Sequence, residues 1–356
     1  MQVAASFINE LYNLFLTYDS IPYHIVISSN VNNNIYPSID KNKFLSFHIV
    51  NIYGKKKSKD LNLDVFDNYD IIFSIFGPFY LKTNAKIKIT GFAQAWIIYP
   101  KNLAYNYISY MEKIKFKLKF IIQKMYFKKD DHLIVELEHV KKALVKCKIK
   151  KENEISVVYN TVSDVFYNLK MWQPIPFSSK KFTLGFLGKA YPHKNIKILK
   201  EVNEILIKKF KIDCDFLFTL KKSEMRELGF HELDNFHSVG QINVNQCPAF
   251  YQAIDALIFP SLLECFSVTP LESMKMNKLV IASNLPFVRD ICKESALYFN
   301  PIDPNDIANT IAYAINNGND INEKIKLASD IIKSLPSAQE RAISYLNIIN
   351  KFKAIL

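Results

Sequence analysis

The sequence predicts an α/β protein made of two doubly wound domains, each with a parallel sheet covered by helices. The length of 356 residues suits roughly two domains. Apolar runs of strand length alternate with amphipathic helical segments, and this alternation occurs in two series. A polar stretch with Pro174 and Pro176 separates the series and predicts a boundary within residues 171–180. We therefore expect one domain over residues 1–175 and a second over residues 176–336.

The composition excludes several classes of protein. Hydrophobic residues make up 49% of the chain and charged residues 22%, which is typical of a folded domain rather than a disordered one. The five cysteines are widely spaced and form no Cys-x-x-Cys pair, so we expect neither a disulfide framework nor a thiolate zinc site, and a reducing cytoplasm fits. No apolar run has the length of a membrane span, and the opening residues do not resemble a secretory signal. The net charge of +12 favours an anionic partner, which could be phosphate, nucleic acid or an anionic lipid surface.

The first series opens on a helix, because Val3, Phe7, Leu11 and Leu14 recur at helical spacing. Apolar runs of strand length follow at His24–Ser28, Phe47–Ile52, Ile71–Phe76, Ile87–Phe92, Leu133–Val135 and Ile155–Tyr159. Between them lie helical segments at Tyr110–Phe127 and Val140–Val145.

This opening helix departs from the usual start of a doubly wound domain, which is a strand followed by a glycine-rich loop. That first strand is central in the strand order 3-2-1-4-5-6, so its loss should expose the edges of its two neighbours. We interpret the pattern as a true start upstream of Met1 or as a truncated copy. An intact mass of 41.3 kDa for protein expressed from the native locus would contradict an upstream start.

The second series predicts a parallel sheet with crossover helices. Its predicted strands are Phe182–Leu187, Cys214–Leu220, Ala256–Phe259, Leu279–Ala282 and Leu297–Phe299. Its predicted helices are Ile196–Lys208, Pro248–Ile254, Pro270–Met276, Phe287–Ile291 and Asp306–Ile315. A capping box at Ser337 and Glu340 predicts a last helix that runs to about Phe352.

Two glutamates flank a predicted strand-to-helix turn in residues 260–272. Glu264 precedes the turn, and Glu272 falls in the first turn of a helix that is predicted to start at Pro270. The free amide groups of a helix start bind phosphate, and carboxylates on either side of them can hold sugar and ribose hydroxyls. The alternative is a solvated turn in which Glu272 only complements the helix dipole.

A second candidate phosphate site follows the strand at Phe182–Leu187. Gly188 ends this strand, and Lys189 and Lys194 precede the next helix. Lysines beside a helix start suit a diphosphate, because their charges and the amide donors act on the same anion. An ordinary exposed basic loop is the alternative.

Taken together, the two motifs resemble those of the retaining GT-B glycosyltransferases of glycosyltransferase family 4. The likeness covers most of residues 182–301. Glu264 and Glu272 match that family's two glutamates separated by seven residues, and Gly188, Lys189 and Lys194 match its glycine, basic residue and lysine. Three further segments match in order, at residues 255–261, 279–283 and 296–301. The segments 76–78 and 91–93 are similar to those of transferases that assemble surface polysaccharide or O-antigen.

This resemblance implies a role for each matching residue. Lys189 and Lys194 would bind the donor diphosphate and stabilise the leaving nucleotide, Glu272 would bind the ribose hydroxyls, and Glu264 would contact the donor sugar near the reacting carbon. The donor site would also include Gly188, Phe266, Ser267, Val268 and Thr269. The fold implied is GT-B, with an N-terminal acceptor domain and a C-terminal donor domain facing a central cleft. Residues 337–356 would pack back on the first domain, and no metal or other cofactor would be needed.

Some positions depart from the family pattern. Ser267 stands where many members have glycine, so the approach of the backbone to the sugar should be tighter. No histidine lies in residues 90–96, where members place one near the donor. His139 follows a predicted strand, but we interpret it as a helix-start surface residue rather than a catalytic one.

The predicted function is transfer of a hexosyl unit, with retention, from a nucleoside-diphosphate sugar to a growing cell-surface glycan. The acceptor is expected to be linked to polyprenyl diphosphate, and the protein to be cytoplasmic, at the inner face of a bacterial inner membrane. Residues 111–129 alternate lysine with apolar residues and suit an anionic membrane. They suit equally a surface helix whose lysine stems cover apolar neighbours.

Two other functions remain open on the sequence alone. One is a non-catalytic GT-B-like binding or scaffold protein, which the missing glycine-rich loop favours. The other is nucleic-acid binding, which only the net charge supports. No motif combines aromatic and basic residues as nucleic-acid binders do, so no nucleic-acid partner is predicted.

Overall fold

The computed structural model describes residues 2–51 and 66–356, and these divide into two compact units. Unit 1 contains the described residues up to Ile98 together with residues 117–163 and 336–356. Unit 2 contains residues 99–116 and 164–335. Residues 99–116 and 164–175 therefore group with the second unit, although they precede the sequence boundary at residue 176.

The elements are numbered here in chain order. The strands are β1 (Ile21–Ile27), β2 (Phe44–Ile49), β3 (Ile71–Ser74), β4 (Ile87–Gly91), β5 (His132–Val135), β6 (Ile155–Val157), β7 (Thr183–Phe186), β8 (Asp215–Phe218), β9 (Phe236–Ser238), β10 (Ala256–Phe259), β11 (Leu279–Ser283) and β12 (Ala296–Phe299). The α-helices are α1 (Gln2–Leu14), α2 (Ser29–Asn32), α3 (Ala95–Ile98), α4 (Tyr110–Lys129), α5 (Glu138–Lys146), α6 (Leu199–Ile205), α7 (Lys222–Glu227), α8 (Cys247–Gln252), α9 (Val268–Lys275), α10 (Pro286–Cys292), α11 (Pro304–Asn316), α12 (Gly318–Lys333) and α13 (Ala338–Lys353).

Unit 2 is built on a parallel six-stranded sheet in the order β12-β11-β10-β7-β8-β9. Strands β7, β8, β10 and β11 are buried along their whole length, which explains their unbroken apolar sequences. The chain runs outward from β7 to β9 and then returns to continue from β10 on the other side. The strand order therefore reverses between β7 and β10, where ligands of such sheets bind at the carboxyl ends of the strands.

The parallel sheet of unit 1 is divided into two pieces. Strands β1 and β2 form a pair, and β3, β4, β5 and β6 form a four-stranded sheet. Among the described residues no strand joins β1 to β3. In the predicted strand order these two strands would lie on either side of the central strand. Their side chains share one apolar cluster, to which Ile21, Ile27, Ile71 and Phe73 contribute.

The last helix, α13, is part of unit 1 and packs on α1. The rings of Phe7 and Tyr345 meet edge to face at 5.4 Å. The buried Arg341 donates from Nη2 to Oγ of Ser6 at 2.8 Å and from Nη1 to the Asn160 side chain. The predicted capping box is confirmed, since Oγ of Ser337 accepts from the amide N–H of Glu340 at the start of α13.

The structure differs from the predicted elements in several places, and helices α7 and α12 were not predicted. Strand β9 was not predicted, because it is only three residues long and its apolar content is a single Phe236. Strand β2 starts at Phe44 rather than Phe47, and the predicted end at Ile52 lies outside the described residues. Within the described ranges, no helix is long and apolar enough to cross a membrane.

Candidate functional site

Two loops meet at the point where the strand order of unit 2 reverses. One follows β7 and carries Lys194, and the other follows β10 and carries Glu264. Nζ of Lys194 lies 2.5 Å from Oε1 of Glu264, and both side chains are only 14% exposed. The amide of Leu262 also donates to the carbonyl of His193 at 2.7 Å. The two loops are thus joined by an ion pair and by a backbone hydrogen bond.

The Lys194 ammonium is held in place by its surroundings. Its Nζ lies 5.3 Å from the centre of the ring of Phe259, the last residue of β10. The following residue, Asn195, has a left-handed backbone with φ of 54°, and its side-chain amide donates to the carbonyl of Pro301 at 2.6 Å. An ammonium has three N–H donors, so two remain for an anion after the bond to Glu264.

His193 precedes this lysine and is mostly buried. Burial lowers its pKa below the usual value, the neighbouring charge of Lys194 lowers it further, and Glu264 raises it. Burial is the largest of these effects and disfavours the charged imidazolium. Lys194 is the cation that this loop pairs with Glu264.

The glycine of this loop marks a close approach between neighbouring segments. The amide of Gly188 donates to Oγ1 of Thr219, which follows β8, at 3.0 Å. Its φ of +155° and the Phe186 ring, 3.3 Å from where a Cβ would lie, restrict the position to glycine. Lys189 is exposed, and none of the described side chains forms an ion pair with it. The structure therefore pairs Lys194 and leaves the predicted partner Lys189 open to solvent.

Glu272 is buried rather than solvated, at 2% exposure. The Tyr251 hydroxyl donates to its Oε2 at 2.9 Å and lies 3.1 Å from the carbonyl of Thr269. Burial raises the pKa of Glu272 to about 7, and the bond from Tyr251 limits that rise. The alternative of a solvated turn for this glutamate is wrong, because α8 supplies Tyr251 and covers the carboxyl.

The helix after Glu264 starts earlier than the sequence predicts. It begins at Val268 instead of Pro270, so Glu272 is its fifth residue and lies beyond the first turn. The Ser267 hydroxyl does not cap the helix but lies 3.1 Å from the Thr269 hydroxyl. The first amides of α9 therefore lack a side-chain cap, which makes the helix start a suitable anion site. Phe266 and Val268 flank this start and are half-buried.

Sequence reasoning missed three contributors to this site. Tyr251 gave no signal beyond an apolar helix, and Thr219 and Phe259 belong to predicted strands without a distinguishing pattern. Ser261 follows β10 and is fully buried, and its Oγ has no hydrogen-bond partner among the described residues.

Two further expectations concern histidines and metals. His139 lies in the first turn of α5, as predicted, but it is half-buried rather than fully exposed. In residues 2–51 and 66–356, no three His, Cys, Asp or Glu side chains cluster as metal ligands do. Independence from a metal remains a prediction.

Comparison with known proteins shows what the chain is similar to. Residues 170–333 match the family model of glycosyl transferases group 1. The chain is 25% identical over 197 residues to the O-antigen chain mannosyltransferase RfbU of Salmonella typhimurium strain LT2. That match covers 55% of this chain and 53% of RfbU, so the chain spans about half of this relative's length.

Solved structures share the fold over nearly the whole chain. A glycosyltransferase from Rickettsia africae superposes with a TM-score of 0.64 at 16% identity, covering 98% of this chain and 94% of that one. HepE of Anabaena, solved with UDP and glucose, gives 0.60 at 12% identity, covering 98% and 95%. The chain thus has the GT-B fold, and residues 170–333 are similar to the glycosyl transferases group 1 model.

Proposed function

We propose that the protein is a retaining glycosyltransferase that moves a hexosyl unit from a nucleoside-diphosphate sugar to a growing cell-surface glycan. The observation that carries the proposal is the Lys194–Glu264 pair beside the uncapped start of α9. The loops after β7 and β10, at the switch point of the sheet, together carry a cation, a carboxylate and uncapped amide donors. Supporting it are the RfbU relative and HepE, which was solved with UDP and glucose.

In this proposal the bond between the anomeric carbon and the diphosphate oxygen breaks, and the acceptor hydroxyl oxygen forms the new bond on the same face. The proton of that hydroxyl passes to the leaving diphosphate. Negative charge develops on the leaving diphosphate. Lys194, the exposed Lys189 and the amides of residues 266–269 stabilise that charge, because preorganised donors act most strongly where charge develops. Glu264 accepts hydroxyl bonds from the sugar on the lone pairs that Lys194 leaves free. Glu272 accepts bonds from the ribose hydroxyls.

The acceptor proposed is a glycan linked to polyprenyl diphosphate, at the cytoplasmic face of a bacterial inner membrane. The base and sugar of the donor depend on a few loop side chains and are left to measurement. No metal enters the proposal, because lysines and helix amides supply the positive charge.

A thermal-shift panel with UDP, GDP, ADP, CDP and dTDP, followed by their sugars, tests the donor site. Ligand at about 100 times its Kd stabilises the folded state by about 2.7 kcal/mol. We expect a shift with one nucleotide that is lost in Lys194→Ala and Glu272→Ala, and turnover of the matching sugar with release of its nucleotide. An unshifted but cooperative melt with every nucleotide would refute the proposal.

The second candidate is a non-catalytic GT-B-like scaffold, which the divided sheet of unit 1 favours. It predicts nucleotide binding without turnover, or no nucleotide binding at all. Assay of donor hydrolysis and transfer with lipid-linked acceptors separates the two functions.

A further inference from the structure

Helix α4 carries a row of exposed apolar side chains. Leu118, Ile121, Ile122 and Met125 are between 46% and 59% exposed. At about 100° of rotation per residue they fall within one stripe roughly 100° wide. We call these four residues the outer stripe.

The orientation of the helix is set by its opposite face. Phe120, Gln123 and Phe127 are buried in unit 1. The Gln123 amide donates to the Tyr80 hydroxyl at 2.8 Å, and the Phe127 ring packs edge to face on Phe92 at 4.7 Å. These contacts hold the outer stripe towards solvent, so its exposure does not come from a loosely attached helix.

Lysines border the outer stripe on both sides. Lys117 and Lys128 lie on one side and Lys119 on the other, each roughly 70–110° around the helix from its centre. All three are exposed. The helix contains seven lysines and one glutamate, Glu112, whose carboxylate bonds to Ser109 at the helix start.

We propose that the outer stripe and its bordering lysines bind the surface of an anionic phospholipid bilayer, with α4 lying parallel to the surface. Apolar side chains enter the boundary between headgroups and acyl chains, and lysines on both sides meet the lipid phosphates. The positive charge of these lysines favours an anionic membrane over a second copy of this chain, because two copies would place the same lysines against each other. No protein is needed to complete the face, because a planar anionic surface complements the lysines on both sides at once.

The arrangement could not be read from the sequence. The apolar residues of α4 occupy two opposite faces, one packed in unit 1 and one exposed, so they cancel in any test for a single amphipathic stripe. Only the buried positions of Phe120 and Phe127 show which apolar residues are left for a membrane.

Sedimentation with vesicles tests the proposal on the whole chain, without donor or acceptor. Phosphatidylcholine vesicles with and without phosphatidylglycerol are compared at low and high salt. We expect binding only with the anionic lipid, weakened by salt. Lys117→Gln/Lys128→Gln should lower the partition coefficient roughly 30-fold, from the usual contribution of a lysine near an anionic surface. Leu118→Gln/Ile121→Gln/Met125→Gln should lower it by about tenfold or more.

Matched controls carry the same changes at exposed positions elsewhere. They are Lys170→Gln/Lys222→Gln and Ile207→Gln/Ile302→Gln/Leu327→Gln, which should sediment like the wild type. Thermal melts confirm that every variant is folded. Equal binding to both vesicles, or stripe variants that bind like their controls, would overturn the proposal. So would light scattering that shows a wild-type dimer and a monomeric stripe variant, because the stripe would then be a subunit interface.

Discussion

The ammonium of Lys194 and the carboxylate of Glu264 form an ion pair at 2.5 Å across 70 residues of sequence. The pair exists because β7 and β10 are parallel neighbours in the sheet, so the loops that follow them leave the same edge. Each side chain is mostly buried, so neither can lose its partner without leaving a poorly solvated charge.

Removing one partner of this pair should cost more stability than removing both. We expect Lys194→Met to destabilise unit 2 by about 3 kcal/mol, because Glu264 keeps a buried charge. The double variant Lys194→Met/Glu264→Gln should regain part of that loss but bind no nucleotide. Denaturant unfolding of Lys194→Met, Glu264→Gln and the double variant measures the coupling energy between the two side chains. A coupling energy below about 0.5 kcal/mol would show that the two side chains act independently.

The raised pKa of Glu272 should make unit 2 less stable as pH rises. Between its unfolded pKa near 4.5 and its folded pKa of about 7, the folded state keeps a proton that the unfolded state has lost. The penalty grows across this interval to at most about 3 kcal/mol above it. Glu272→Gln removes it, so the stability of the variant relative to the wild type should increase between about pH 5 and about pH 8.

Glu136 in unit 1 also has a pKa raised to about 7 by burial, so the wild-type profile alone does not identify Glu272. The difference between wild type and Glu272→Gln isolates it. Glu227→Gln, on the exposed side of α7, is the matched control. A flat difference between the wild type and Glu272→Gln would mean that this carboxyl is ionised in the folded protein across the interval.

Tyr251→Phe tests the hydroxyl that reaches Glu272. The change removes one buried donor and should cost about 1–2 kcal/mol. The pKa of Glu272 should rise further, because the lost bond favours the carboxylate. Nucleotide affinity should therefore become more dependent on pH, tightening as the carboxylate forms. Calorimetric titration at several pH values measures this, and an affinity equal to wild type at every pH would contradict it.

Gly188→Ala should strain the loop that carries Lys194. Its φ of +155° is unfavourable for alanine, and the new Cβ would press on the Phe186 ring. We expect a loss of about 1–2 kcal/mol in unfolding free energy and weaker nucleotide binding. Gly318→Ala at the start of α12 is the control, because nothing lies within 4 Å of its added Cβ. Identical melts for the two variants would show that the loop adapts.

Arg341→Met tests how α13 is held in unit 1. Arg341 bonds to Ser6 and Asn160, and Nδ2 of Asn160 donates to Oε1 of Glu136 at 2.6 Å. Loss of the guanidinium leaves the buried Asn160–Glu136 pair with one donor fewer. We therefore expect the unfolding free energy to fall by about 3 kcal/mol. The pKa of Glu136 should also rise, because the positive charge of Arg341 lowers it. Unfolding followed at several pH values tests both effects, and an unchanged midpoint would contradict them.

Much of the fold was predictable because local signals agreed with the final structure. The strands of unit 2 are buried on both faces and therefore read as continuous apolar runs, as at β10 and β11. The α13 capping box was visible because its residues, Ser337 and Glu340, are three apart. Short elements were not predictable, since β9 has one apolar residue, and the start of α9 moved two residues from Pro270 to Val268.

The sequence by itself determined most of the strands, several of the helices and the motif residues Gly188, Lys194, Glu264 and Glu272, because each has a signal within a few residues. Only the tertiary structure decided that Lys194 pairs with Glu264 while Lys189 stays in solvent. It also buried Glu272 under Tyr251 and chose which apolar face of α4 remains exposed. The reason is physical, because burial and ion pairing depend on which segments the sheet brings together. The spacing of residues along one segment does not show which other segment packs against it.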